Sequence, residues 1–258
     1  MQASVLFRRL FWPRVLDGKP WPVRLGMWPA ACLLSWMNLA IERSIGEEAV
    51  FRSPSEVDES LAELSQGFRE IRRECLAYLE LGERIPGYHD LDPIQKSIST
   101  RLSPTRRWKV IPLEVFGRRP VALASAFERT YARLDRVPRR LQVLVSILEA
   151  EKSVPAHEGP FKGYLRYHLG LVAEDPETRF LRVADERRHW REGEAFVFDD
   201  SLEHEVVNAS PSERIVLMVD VARDRPAWVA RLVASLRPIA SWSYGRKVLQ
   251  RFEAHRRA

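Results

Sequence analysis

Three of the chain's six histidines stand in surroundings that could support chemistry. His157 lies in Val-Pro-Ala-His-Glu-Gly-Pro, His168 in Leu-Arg-Tyr-His-Leu-Gly-Leu, and His204 follows Phe-Asp-Asp-Ser-Leu-Glu. Imidazole is the commonest side-chain metal ligand, and strand ends in a small barrel converge on its interior. A lone histidine is more often structural than a ligand, and His89, His189 and His255 are read that way. His189, among Arg187, Arg188 and Arg191, is expected on a solvated face. The other three keep different company. Arg214 opens the nearly all-apolar run Arg-Ile-Val-Leu-Met-Val-Asp-Val, where alternation puts it on one face with Val216, Met218 and Asp220. An inward arginine needs a partner, either a structural acid or a bound carboxylate held by its planar fork. Arg166 and His168, two residues apart, also share a face. Together these residues outline a cavity with a metal at one end and cations around a small dianion; the alternative is a set of unrelated ion pairs.

Such residues need strands to position them. From about residue 140 the chain turns to short apolar, β-branched runs at 141–148, 165–172, 179–183, 195–198, 206–208 and 214–221. Asp175-Pro176, Glu192-Gly193 and Ser210-Pro211-Ser212 separate them, the pattern of a sandwich or barrel. Upstream, Ser53-Pro54-Ser55-Glu56 is a helix start with a capping box. Val57, Leu61, Leu64, Phe68, Ile71, Cys75 and Tyr78 then predict one long amphipathic helix ending near Gly82, with Cys75 a buried thiol. A second helix is predicted over 122–134, and a basic helical tail from Pro226. The expected organisation is a basic, aromatic segment at 1–52, a helical part at 53–140, a β core at 141–222 and a basic helical tail at 223–258.

The 258-residue chain is long enough to bury a sizeable core, and its two cysteines, Cys32 and Cys75, exclude a disulfide scaffold. Net charge is +6, unevenly placed. Residues 1–27 carry Arg8, Arg9, Arg14, Lys19 and Arg24 against Asp17, and residues 223–258 carry nine Lys/Arg against Asp224 and Glu253. The stretch between is net negative, so no nucleic-acid partner is expected. Residues 28–41 are the most apolar window, and extended back to Leu25 it reaches only the lower limit for crossing a hydrocarbon core of roughly 30 Å, so a core or interfacial helix is the better expectation. The Arg/Lys alternating with Phe, Trp and Leu before it has the composition of a membrane-surface segment, with an arm packed on its own domain or a second subunit as the alternative. The expected location is cytoplasmic, with peripheral contact at the inner face of an anionic membrane through the basic N-terminus.

Three blocks, HEGPFKGYLRYHLGL, WREGEAFVFDDSLEHEV and RIVLMVDV, in order and at matching intervals, resemble the aspartyl/asparaginyl β-hydroxylase family. The resemblance is close over residues 141–222 and weaker around Asp92-Pro93-Ile94-Gln95, Trp108-Lys109 and Ser146-Ile147-Leu148. It implies an α+β protein with a double-stranded β-helix (jelly-roll, cupin-like) core and N- and C-terminal helices packed outside. It also implies an Fe(II)- and 2-oxoglutarate-dependent dioxygenase that uses O2. His157 and His204 would be the catalytic metal ligands. Arg166 and His168 would hold the C1 carboxylate end of 2-oxoglutarate, and Arg214 with Ser146 its distal carboxylate. Oxygenases of this kind commonly carry His-x-Asp/Glu, whereas Gly159 here offers no side chain. The peptidyl aspartyl hydroxylases share that glycine; halogenases, which also lack the carboxylate, are an outsider. Water filling the gap, and a nearby acid such as Glu158 or Asp199 assisting through water, are the two alternatives. Tyr164 stands where those peptidyl hydroxylases carry a substrate-gripping arginine, and Leu-Arg-Tyr-His-Leu-Gly-Leu is similar to bacterial lipid acyl hydroxylases. The implied substrate is an Asp/Asn-type residue in a peptide, favoured by Gly159, with an acyl chain of a lipid A or ornithine-lipid type membrane lipid as the alternative. A catalytically silent cupin-like binding protein is the third possibility. The oligomeric state is left open.

Overall fold

The computed structural model describes residues 21–102, 105 and 107–257. The basic residues of 1–20, on which much of the expected N-terminal membrane contact falls, lie outside the described residues. The described residues open with helix α1 (Trp21–Ile45), followed by a short strand β1 (Phe51–Arg52). Among the described residues no helix is long and apolar enough to cross a membrane.

The long helix expected after Ser53 is three: α2 (Pro54–Val57), α3 (Glu59–Gln66) and α4 (Phe68–Glu80). Its start is as read: the Glu56 carboxylate accepts from the Ser53 N–H (2.6 Å) and hydroxyl (2.8 Å). The first break is at Asp58, whose extended backbone lets its side chain cap the next helix by accepting from the Ser60 N–H at 3.1 Å. The second is Gly67, where any Cβ would run into the Arg133 side chain. The apolar stripe survives both breaks, with Leu61, Leu64, Ile71, Cys75 and Tyr78 all buried. Two short helices follow, α5 (Tyr88–Leu91) and α6 (Lys96–Thr100), and then strand β2 (Trp108–Val115). That strand lies inside the stretch 53–140 read as helical, and it corrects that part of the organisation. It reads poorly as a strand because Pro112 interrupts it and because seven of its eight residues are buried, which removes the alternation of a half-exposed strand. The helix expected over 122–134 is a single 3-10 turn (Val121–Leu123) and then α7 (Glu128–Leu134).

The remaining strands are β3 (Arg140–Leu148), β4 (Val154–His157), β5 (Tyr164–Val172), β6 (Arg179–Val183), β7 (Glu186–Arg188), β8 (Ala195–Phe198), β9 (His204–Asn208) and β10 (Arg214–Ala222). They form two antiparallel sheets, in the orders β1-β8-β5-β10-β3-β2 and β4-β9-β6-β7. The order is non-sequential throughout: β10 runs between β3 and β5, and β9 between β4 and β6, the interleaving of a double-stranded β-helix. The fold is therefore α+β with a cupin-like core. The chain closes with α8 (Ala227–Ala240), a π turn (Ser241–Gly245) and α9 (Arg246–Arg257). Helix α4 packs against β5, while α8 packs through Val229 and Val233 with Ile41 of α1, Leu141 and Ala222.

Candidate active site

The inner faces of the two sheets enclose a narrow cavity. The larger sheet contributes Ser146, Arg166, His168, Arg214 and Met218, and the smaller contributes His157, Leu181, His204 and Val206. All six residues singled out from the sequence thus meet at one place. Register explains how. His157 and His204 are direct cross-strand partners of β4 and β9, so their rings lie 4.1 Å apart between centroids. Ser146 of β3 stands two residues along from Leu148, the cross-strand partner of Arg214 of β10, and Arg214 donates to its hydroxyl at 3.1 Å.

The hydrogen bonds made by Nδ1 set a different tautomer for different histidines. His157 Nδ1 lies 2.8 Å from the Pro155 carbonyl, and His204 Nδ1 2.8 Å from the Leu202 carbonyl, in each case two residues back. A carbonyl only accepts, so both Nδ1 atoms carry a proton, which leaves Nε2 as the nitrogen of each ring able to ligate. Burial, reinforced by the neighbouring His204, lowers the His157 pKa to about 4, which keeps that imidazole neutral near pH 7. His168 is the reverse case. The Trp190 indole N–H donates to its Nδ1 at 3.3 Å, so Nε2 carries the proton; that buried N–H has no partner. Burial, then the charges of Arg214 and Arg166, hold His168 well below its ordinary range, so it is a neutral donor. Two acceptors and one donor are what a cation and an anion bound side by side require.

Arg214 is 2% exposed, and no acid among the described residues pairs with it. Its guanidinium lies 4.7 Å from the Trp190 ring centroid, and its Nε has no partner. Burial, with Arg179 nearby, lowers its pKa to about 9. Ser146 also accepts from the Trp108 indole at 2.9 Å, which fixes the hydroxyl beside the guanidinium. An unpaired buried charge costs several kcal/mol, and the Ser146 hydroxyl and the Trp190 face offset it only in part. The alternative of a structural acid for Arg214 is thereby removed.

Arg166, expected beside His168, does line the cavity, but its guanidinium is taken on both sides. Nε and Nη2 donate to Asp220 at 2.7 and 3.0 Å, and Nη1 donates to Asp200. Asp200 also accepts from the Tyr164 hydroxyl at 2.6 Å and approaches His204 Nε2 to 3.4 Å. Burial works against its charge, yet Arg166 and the histidines outweigh it and hold Asp200 below the usual carboxylate range. Asp220, with only Arg166 to oppose its burial, is pushed up.

Asp200 corrects the acid expected from the sequence. Asp199 points away, paired with Arg223 at 2.7 Å, and Glu158 is exposed. The Asp200 carboxylate instead fills the space over Gly159: a Cβ there would overlap it, and the Gly159 N–H donates to the Asp200 carbonyl at 2.8 Å. The glycine is required by close approach, and the acid missing at 159 is replaced in space by one four residues before His204. That i, i+4 spacing to a candidate ligand was a signal available in the sequence; choosing between adjacent aspartates was not. Trp190 was also missed, because Arg187, Arg188 and Arg191 around it read as solvated while its own ring is 1% exposed. No group of three or more His, Cys, Asp or Glu side chains is arranged to hold a metal ion among the described residues, so the candidate ligands are the histidine pair.

Fold and cavity together define a double-stranded β-helix protein with a two-histidine pocket beside an unpaired buried arginine. The family model described as Aspartyl/Asparaginyl beta-hydroxylase matches residues 65–224, and the chain belongs to that family. It is 36% identical over 163 residues to an ornithine lipid ester-linked acyl 2-hydroxylase of Rhizobium tropici, a match covering 63% of this chain and 57% of that protein. It is also 36% identical over 119 residues to the aspartyl/asparaginyl beta-hydroxylase of Homo sapiens, covering 44% of this chain and 16% of the human protein. The chain therefore spans little more than half of the first relative's length and a small part of the second's. Among solved structures, a cupin domain from Bordetella pertussis is similar at 13% identity and a TM-score of 0.27, over 33% of this chain and 84% of that one.

Proposed function

We propose that the protein is an Fe(II)- and 2-oxoglutarate-dependent hydroxylase acting on an acyl chain of a membrane lipid. Arg214 carries the first half of this reading. A buried guanidinium without an acid, held beside the Ser146 hydroxyl in the same cavity as two Nε2 lone pairs, fits the distal carboxylate of a dianionic cosubstrate next to a metal. His157 and His204 would hold Fe(II), for which neutral imidazoles are suited. The His168 Nε2–H, buried without a partner, would meet the C1 end, since Arg166 is already held by Asp200 and Asp220. When bound, Fe(II), 2-oxoglutarate and O2 would supply the oxidation that places a hydroxyl on an unactivated C–H. The chain's own residues would orient the carboxylates, keep His157 unprotonated and hold Asp200 in one position beside the histidines through Tyr164 and Arg166.

The substrate half rests on the other arginine. Arg166 is already shared between Asp200 and Asp220, and the Tyr164 hydroxyl is spent on Asp200, so neither the guanidinium nor the hydroxyl is free for a substrate carboxylate. The rest of the lining includes Leu148, Val154, Leu181, Phe198, Val206 and Met218. Gly159 favoured a peptidyl Asp/Asn substrate in the sequence, but the room it leaves for Asp200 gives it a separate reason. Hydroxylation of an Asp/Asn residue is the second reading, favoured by the human relative.

Purified protein with Fe(II), ascorbate and 2-oxoglutarate is expected to form succinate slowly without substrate, and His204→Ala to form none. No succinate, together with no binding of 2-oxoglutarate to the Fe(II) form, would leave a silent binding protein. Mass spectrometry of lipids and peptides from cells with and without the protein separates the substrates: a hydroxylated peptide and unchanged lipids would sink the acyl reading.

A further inference from the structure

The side of α8 turned away from the body carries an unusual stripe. Val229 and Val233 bury one face of this helix, while Trp228, Arg231, Ser235, Ile239 and Trp242 recur at spacings of three and four on the other. Ile239 and Trp242 are 64% and 67% exposed, and Leu236 and Trp228 are also exposed. Single exposed apolar residues are ordinary, but a run of them on one helix face, two of them tryptophan, marks a surface built to be covered. Around it, Arg225, Arg231, Arg246 and Lys247 are exposed, and none makes an ion pair with an acid among the described residues. Residues 223–258 as a whole hold nine Lys/Arg against two acids.

The charge decides what covers the stripe. A second copy of this chain would bring the same unpaired cations against themselves, whereas an anionic headgroup layer complements them and its acyl boundary accepts the indole and isoleucine side chains. The same two helices also hold the segment that follows His157. Asn38 of α1 donates to the Pro160 carbonyl and accepts from the Lys162 N–H, both at 2.9 Å. Val233 of α8 packs on Gly163, where a Cβ would sit 3.0 Å from its Cγ2. Arg223, just before α8, donates to the Lys162 carbonyl at 2.9 Å. Leu33, on the same helix as Asn38, is 63% exposed.

We infer that the outer stripe of α8 and its π turn is a docking surface for an anionic phospholipid bilayer. The protein lies on the interface through this C-terminal face, and α8, which makes the contact, also packs on the segment that follows His157. This goes beyond the acyl-chain reading and is measured without turnover.

The test is cosedimentation of the full-length protein with phosphatidylcholine vesicles that contain or lack phosphatidylglycerol. The protein is expected to bind only the anionic vesicles and to be released by salt. The pair Ile239→Ser and Trp242→Ser should weaken binding roughly tenfold through lost apolar burial. The pair Arg231→Glu and Lys247→Glu should weaken it at least as much, roughly tenfold or more. All four positions are exposed, so both variants should keep the parent melting temperature and uncoupled succinate formation. Val121→Ser, 89% exposed and outside the stripe, should bind as the parent does. Failure of the parent to bind anionic vesicles overturns the inference, as does parent-like binding by both paired variants. So does a dimer in sedimentation equilibrium that Trp242→Ser dissociates. Vesicle binding without succinate formation would instead overturn the hydroxylase reading and leave the docking surface standing.

Discussion

Two buried arginines stand at two ends of one cavity, and they solve the problem of a buried cation in opposite ways. Arg166 is enclosed by Asp200 and Asp220, with every edge of its guanidinium answered. Arg214 has a hydroxyl, an indole face and an unpartnered Nε, and no acid. The first is a completed network that fixes the acid beside His204. The second is an incomplete one: no acid among the described residues answers it, and the carboxylate of the proposed cosubstrate would. Charge satisfied within the chain positions; charge left open within the chain binds.

The contrast breaks most sharply through substitution of the arginines. Arg166→Leu strands two buried carboxylates and should lower stability by about 3–5 kcal/mol, read from denaturant unfolding. Adding Asp220→Asn should recover part of that loss; an unchanged midpoint for Arg166→Leu would mean the network is not closed. Arg214→Leu should do the reverse. The unliganded protein is expected to be as stable as the parent or more so, while 2-oxoglutarate binding weakens by about 2–5 kcal/mol. A stability loss as large as that of Arg166→Leu, with cosubstrate affinity intact, would make Arg214 structural.

Smaller effects sharpen the same comparison. Gly159→Ala pushes a methyl into the Asp200 carboxylate and should cost about 1–3 kcal/mol, with loss of turnover, because Asp200 must leave its place between Arg166 and His204. His168 adds a pH signature. Its folded-state pKa lies well below the ordinary 6.5. Below pH 6.5 the unfolded chain therefore takes up a proton that the folded protein refuses. Stability should fall with decreasing pH from that point by up to about 1.4 kcal/mol per unit, and His168→Gln should flatten the slope. Tyr164→Phe is the mildest, removing one hydrogen bond to Asp200 at about 1 kcal/mol in urea unfolding.

Much of the site was legible in the sequence because it is carried by local motifs whose register β pairing preserves. His157, His168 and His204 sit in strands with clear alternation or at their ends, and Arg214, Met218 and Asp220 fall on one face as a period of two demands. What escaped depended on contacts between distant segments. Strand β2 hid behind near-complete burial and a proline, and the long helix after Ser53 broke where Asp58 capped its successor and Gly67 met Arg133. Asp199 and Asp200 are indistinguishable by composition, and only the fold sends one to Arg223 and the other over Gly159.

The division has a physical cause. Residue type and spacing determine which groups can ligate, donate or carry charge, and which face of a strand they take, since those follow from the covalent period of the chain. Whether a charge is answered, which nitrogen of a histidine keeps its proton and which tryptophan meets solvent depend on partners brought from far along the chain. The sequence alone determined a two-histidine β-helix with cations inside. The tertiary structure decided that one of those cations is spent and the other is waiting.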